Sequence, residues 1–241
     1  MSTYRVCGLD LGKSIDFTAL TLLQWSEWQP GAPPIVYNVP ALRRWPLGTS
    51  YVELSAWMVK FFRSFTPSPI EPLPLFVVDE TGVGVAVVEM IREALIDAKL
   101  FPRMVAVTIT GGSQANNFAS GRWRVAKKQL ASTLVKLFQS HRIAISNKLP
   151  EAATLVKEAQ NFSVKITPAG NETFESWREG THDDLVLSLA LACWAAENIG
   201  LGGEIQTSGN REKEMGITPL GVIPGEEASM DRESRPWYEK L

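Results

Sequence analysis

Two short apolar runs that each stop at an aspartate constrain this chain more than any other feature. Residues 4–11 read YRVCGLDL and residues 73–79 read LPLFVVD. Apolar runs of this length without polar alternation are the pattern of strands covered on both faces, and covering both faces of a sheet requires helices on either side. The remaining segments fit that demand. Phe17 to Trp25 (FTALTLLQW) follows the first run after a short turn and predicts a hairpin, and Ile35 to Val39 predicts a third strand beyond a proline-punctuated loop. Leu54, Trp57, Met58, Phe61 and Phe62 share a helical stripe within Tyr51 to Phe65, and Val87, Val88, Ile91 and Leu95 share another after TGVG. Met104 to Ile109 reads as a strand, and Ala126 to Ser140 and Pro150 to Ala159 as helices. Ser163 to Trp177 reads as two short strands around a PAGN turn, and about Asp183 to Ile199 as the last helix. The order βββαβαβα with these additions predicts an α/β domain built on a mixed central sheet flanked by helices.

Composition sets the outer limits. With 241 residues, 45% of them hydrophobic, there is enough chain for one large core. The expected division is a folded domain over 1–200 and a flexible or loosely docked tail over 201–241, where glycine and proline interrupt the chain and no apolar period is sustained. Two cysteines, Cys7 and Cys193, and two histidines, His141 and His182, supply neither a disulfide framework nor a zinc-finger spacing. The start lacks a basic segment followed by a long apolar one. The longest apolar stretch, around Leu185 to Ala196, is well short of the ~18 residues of a membrane span, so a cytoplasmic protein without membrane contact is expected.

Three acidic positions carry the functional signal. Asp10 ends the first strand, Asp79 ends the fourth, and Asp183 and Asp184 open the last helix. Carboxyl ends of neighbouring strands form the usual crevice for chemistry in α/β sheets, and strands one and four become neighbours if the hairpin lies to one side. Gathered carboxylates repel one another. Hard divalent ions such as Mg²⁺ or Mn²⁺ offset that repulsion, and two ions about 3.5–4 Å apart support in-line displacement at a phosphodiester. Taken singly, each position also has a plain structural reading, since strand-end aspartates cap turns and acids in a helix's first turn complement its dipole. Glu80 and Asp16 read as solvated or supporting groups, and His182 as either an acid–base group or a helix-start cap.

At these residues the sequence resembles a family. GLDLGKSIDFTAL, FVVDETGVGVAVVEMI and THDDLVLSLALACWAAE are similar to three motif blocks of the nuclease domain of large terminase subunits from tailed bacteriophages, in the same order and over about residues 4–199. The resemblance implies an RNase H-like fold and a metal-dependent endonuclease that cuts concatemeric viral DNA during packaging. It implies Asp10 and Asp79 as catalytic, metal-binding acids, Asp184 as the third, and Asp183 as an accessory ligand. It also likens Ser163 to Trp177 to the family's accessory β-hairpin, and implies a packaging ATPase, small terminase or portal as partner in the host cytoplasm. Large terminase subunits carry an ATPase motor ahead of the nuclease, and no such domain lies in this chain, so motor activity is not carried over. A Holliday-junction resolvase of the same fold is the nearest alternative, and a non-catalytic nucleic-acid-binding or packaging-assembly module is the alternative of another class.

Two motifs are decoys. GLDLGKS has three residues between its glycines where a P-loop needs four, and its Asp10 would face the phosphates; an actin-like ATPase, which shares such a first hairpin, needs a second lobe that this length does not provide. TGVG is too short to specify a nucleotide and reads as a tight strand-to-helix turn. Charge placement says more. From Ala98 to Pro150 there is no acid against nine lysines and arginines, in a chain of net charge −2. Within it, GGSQANNFASGRWR reads as a loop facing double-stranded DNA, with Arg122, Arg124, Lys127 and Lys128 as backbone contacts. A solvated helix face balanced by acids elsewhere is the other reading of these cations.

Overall fold

The computed structural model describes residues 2–12, 16–27, 31–65, 72–82, 84–112, 114–166 and 182–199, with backbone alone over 161–166. Its elements are β1 (Thr3–Asp10), β2 (Ala19–Ser26), β3 (Tyr37–Arg44), α1 (Tyr51–Arg63), β4 (Leu75–Asp79), α2 (Gly84–Asp97), β5 (Met104–Thr110), β6 (Asn116–Ala119), β7 (Arg122–Ala126), α3 (Lys127–Gln139), β8 (Ile143–Ile145), α4 (Ala152–Ile166) and α5 (Asp184–Asn198). They form one eight-stranded sheet in the order β6-β7-β5-β4-β1-β2-β3-β8. β1, β2 and β3 are antiparallel neighbours, while β4, β5 and β7 continue parallel to β1. This is the mixed sheet that the order of elements predicts, in the RNase H-like arrangement that the family resemblance implies.

The core follows from which side chains are sandwiched. Val6, Cys7 and Leu9 of β1 and Phe76, Val77 and Val78 of β4 are fully buried, as expected for central strands covered twice. α1 lies on one face, where Phe62 meets Phe76 edge-on at 5.4 Å. A capping box starts α1: Ser50 Oγ accepts from the Glu53 N–H, and Glu53 accepts from the Ser50 N–H. α5 covers the other face. It is apolar all round from Leu185 to Ala196 and every one of those residues is buried, which identifies it as the helix at the centre of the core. Trp57, Trp194, Leu130, Leu134, Leu137 and both cysteines are buried as well.

Helix direction decides what lies at the sheet's edge. Gly8 in mid-sheet packs so closely on α5 that a Cβ there would sit 2.2 Å from the Ser188 carbonyl oxygen, and the Thr21 and Ser188 hydroxyls share a 2.7 Å hydrogen bond. Tyr37, at the start of β3, donates to Glu197 near the end of α5. The helix therefore runs antiparallel to β1 and brings its first residue to the edge where β1 and β4 end.

The structure departs from the sequence-based expectations in several places. GGSQANNFASGRWR is not simply a loop: Asn116–Ala119 and Arg122–Ala126 form a hairpin that extends the sheet beyond β5. The helix expected over 150–159 continues to Ile166, so Ser163–Ile166 are helical where a strand was expected, and the rest of that expected hairpin lies outside the described residues. β3 is longer than expected and runs through Pro40. There Val39 and Pro40 oppose the single residue Leu23, a bulge that accommodates a residue with no N–H to donate. The tail expected over 201–241 also lies outside the described residues.

Candidate active site at the carboxyl edge of the sheet

Strand register lines up the acids. Leu9 pairs with Val78, which sets Asp10 beside Asp79 at the ends of adjacent parallel strands, about 4.8 Å apart by ordinary strand spacing. On the other side Asp10 pairs with Ala19, and Ala19 with Arg44. Alternation along the strands puts Asp10, Asp79 and Arg44 on the face of Gly8, which is the face α5 covers. Asp184 opens α5 at this edge. Asp10 is 7% exposed, Asp79 4% and Asp184 3%, so these carboxylates are withdrawn from bulk water.

Each acid is placed by local chemistry. Asp79 accepts from the Thr81 N–H at 2.8 Å and from the Thr81 hydroxyl, while that hydroxyl oxygen accepts from the Ile109 N–H at 2.8 Å. The turn after Asp79 is tight. Gly82 has φ 73°, and a Cβ on Gly84 would lie 2.8 Å from the Asp79 carbonyl oxygen, so TGVG is the strand-to-helix turn read from the sequence. The loop after Asp10 is tied down too, since Tyr51 at the start of α1 donates to the Gly12 carbonyl at 2.9 Å and the Gly12 N–H donates to Thr18 at 3.1 Å.

Asp184 is electrostatically unsettled. Burial, then the carboxylates of Asp183 and Asp16, push it up to about 7, with its own N–H and Arg44 acting the other way. Its Oδ2 is buried with no hydrogen-bond partner; His182 Nδ1, at 3.9 Å, is beyond hydrogen-bond reach. His182 itself is half exposed and stands edge-on to Phe17 at 4.8 Å.

Two residues that sequence reasoning missed complete the site. Glu158 on α4 is buried, and its Oε2 accepts from the N–H groups of Leu185 at 2.9 Å and Val186 at 3.1 Å. Burial, and next the Asp184 charge, push it up to about 7 against those two N–H groups and Arg44. Arg44 lies 3.5 Å from Glu158 Oε1 and over the Phe17 ring at 4.4 Å. Arg44 stands next to Arg43 in a strand end with no acid to mark it, and Glu158 is 26 residues from Asp184 in sequence, so neither carried a local signal.

The basic segment divides. Arg122 is engaged within the protein, bonded to Glu80 at 2.7 Å and Glu89 at 2.6 Å, and Glu80 is buried with a further bond from Thr108 at 3.1 Å. Glu80 is thus not a solvated group. Arg124 is exposed and stacks over Phe118 at 4.3 Å, on the face of β7 away from the acids. Lys127 and Lys128 open α3. Because Thr110 pairs with Ala126, three residues beyond the Val107 that pairs with Asp79, these lysines project past the carboxylate edge.

The donor set suits a hard divalent cation: carboxylate oxygens alone, on one edge, including a buried oxygen with no donor of its own. Among the described residues, no three His, Cys, Asp or Glu side chains are grouped closely enough to enclose an ion in this conformation.

Comparison with known proteins bears out the resemblance read from the motifs. A 66-residue stretch is 38% identical to the large terminase subunit of Thermus phage G20c, and an equal match is found to that of Thermus virus P23-45. The matched stretch is 27% of this chain but only 13% of the relative's length. In three dimensions the chain is similar to the human cytomegalovirus terminase nuclease domain soaked in Mn. The TM-score is 0.54 with an inhibitor bound and 0.52 without, at 12% and 13% identity. These alignments cover 82% and 85% of this chain and 85% and 89% of the other. The shared fold is RNase H-like. No protein-family model matches the chain.

Proposed function

We propose that this chain is a divalent-metal-dependent endodeoxyribonuclease that cuts concatemeric viral DNA during packaging, as the nuclease part of a terminase large subunit. The observation that carries this reading is the placement of Asp10 and Asp79 at adjacent strand ends, with Asp184 opening α5 toward the same edge and its Oδ2 buried and unbonded. Asp10, Asp79 and Asp184 would hold Mg²⁺ or Mn²⁺, with Asp183 at the first-turn boundary as accessory ligand. Two such ions, held by these carboxylates, would supply an activated water and stabilisation of the phosphodiester's leaving oxygen.

The protein's own groups do the rest. Burial of the acids keeps bulk water away and strengthens their pull on cations. Lys127 and Lys128, at the start of α3 beyond the acids, hold phosphates and position the duplex without reading bases, and Arg124, on the opposite face of the hairpin, contacts the backbone away from the acids. Arg122 is committed to Glu80 and Glu89, and it stiffens the β4–β7 region. Among the described residues no helix is long and apolar enough to cross a membrane. The partners in this reading are double-stranded DNA and a packaging ATPase, small terminase or portal, met in the host cytoplasm.

Cleavage of linear plasmid in Mg²⁺, Mn²⁺, Ca²⁺ or EDTA tests the proposal. Cutting in Mg²⁺ or Mn²⁺ that EDTA abolishes is expected, with no preference for a four-way junction over duplex. Intact DNA under every condition would overturn it.

A further inference from the structure

We infer that Glu158 is a positioning residue that caps α5 from a neighbouring helix and so fixes the first turn that presents Asp184 for metal binding; this rests on the reading above. A helix leaves its first N–H groups without intrahelical partners, and an aspartate at the N-cap ordinarily accepts from one of them. Asp183 occupies the N-cap here and makes no such side-chain bond. Glu158 reaches across from α4 and takes the Leu185 and Val186 N–H groups on one oxygen, at 2.9 and 3.1 Å. Its other oxygen faces Arg44 at 3.5 Å.

The arrangement puts a third acid beside two that already repel each other, which a helix needing only a cap would avoid. Its gain is orientation. With the first turn held from outside, Asp184 keeps a buried oxygen that bonds to nothing in the protein, on the same edge as Asp10 and Asp79. Arg44, shared between Glu158 and the Phe17 ring, holds the carboxylate of Glu158 in place. Groups that orient metal ligands in this way typically change metal affinity by 10–100-fold when removed.

The test is calorimetric titration of the chain with Mn²⁺ alone, with no DNA, comparing the parent, Glu158→Ala and Glu158→Gln, alongside hydrogen exchange at Leu185 and Val186. Glu158→Ala is expected to bind Mn²⁺ about 10–100-fold more weakly and to lose protection at both amides. Glu158→Gln keeps an acceptor for the two N–H groups, and is expected to stay within about threefold of the parent in Mn²⁺ affinity and to keep both amides protected. Equal affinity in the parent and Glu158→Ala would overturn the inference while leaving the metal reading standing. If Glu158→Ala does not fold, a folded Glu158→Gln that has lost tenfold or more overturns it, because charge and not capping would then be the contribution. A parent that takes up no Mn²⁺ overturns the metal reading itself and the inference with it.

Discussion

At the scale of single residues, the acids proposed to hold a cation are distinct from the groups proposed to steady them. Asp10→Asn, Asp79→Asn and Asp184→Asn each remove a charged oxygen from the shared edge. Each is expected to cost at least about 100-fold in metal-dependent cleavage, roughly 3 kcal/mol of transition-state stabilisation, with the circular dichroism spectrum unchanged. Asp183→Asn should cost less. The cations are distinguished by salt. Replacing Arg124, Lys127 and Lys128 together by alanine should flatten the plot of log affinity for duplex DNA against log salt by up to about 2–3 units, at about 0.9 for each phosphate that is no longer neutralised. An unchanged slope would move the DNA track to another surface.

At the scale of elements, the close seat of α5 on β1 is what delivers Asp184 to the edge, and Gly8 makes it possible. A Cβ on residue 8 would meet the Ser188 carbonyl at 2.2 Å and Ala192 at 3.0 Å, so Gly8→Ala must push the helix outward. A stability loss of about 1–3 kcal/mol or more in urea titration is expected, with weakened Mn²⁺ binding. The buried pair of Glu158 and Asp184 also links stability to pH. Both sit at about 7, above the ordinary carboxyl range, so the folded chain holds protons that the unfolded chain releases. Their contribution to stability is full below pH ~4 and is lost as pH rises through 7. In EDTA, the melting temperature should therefore fall between pH 5 and 8, and fall less steeply in Glu158→Gln.

The same scale shows what the sequence could and could not reveal. β1, β4 and α5 were legible because double burial leaves uninterrupted apolar runs, and their bounding acids were legible as strand-end and helix-start residues. β6 and β7 were not, because NNFA and RWR carry few apolar side chains and their pairing depends on the edge β5 offers. β8 is three residues long, too short for any period. SVKI has a β-branched look, yet these four residues continue a helix already under way. Glu158 and Arg44 become site residues only through contacts distant in sequence, and Arg122 looked available to DNA until folding brought Glu80 and Glu89 to it.

At the scale of the whole molecule, one sheet separates two tasks. The far end of α5 is tied by Arg142 and Tyr37 to Glu197, with Arg142 at 2.8 Å, and this fixes the helix where β3 and β8 meet. The near end carries the acids, with Arg44 on one flank and Lys127 and Lys128 on the other. The matched stretch is only 13% of the phage relatives' length, and under the proposed function cutting is expected of this chain alone and without ATP. The most direct measurement is single-turnover cleavage of a labelled linear duplex by the parent and by Asp79→Asn in Mn²⁺, with EDTA as the blank. A carboxylate-held metal site predicts cutting by the parent in Mn²⁺, none in EDTA, and a rate at least about 100-fold lower for a correctly folded Asp79→Asn. Equal rates for the parent and Asp79→Asn, or cutting that persists in EDTA, would contradict it.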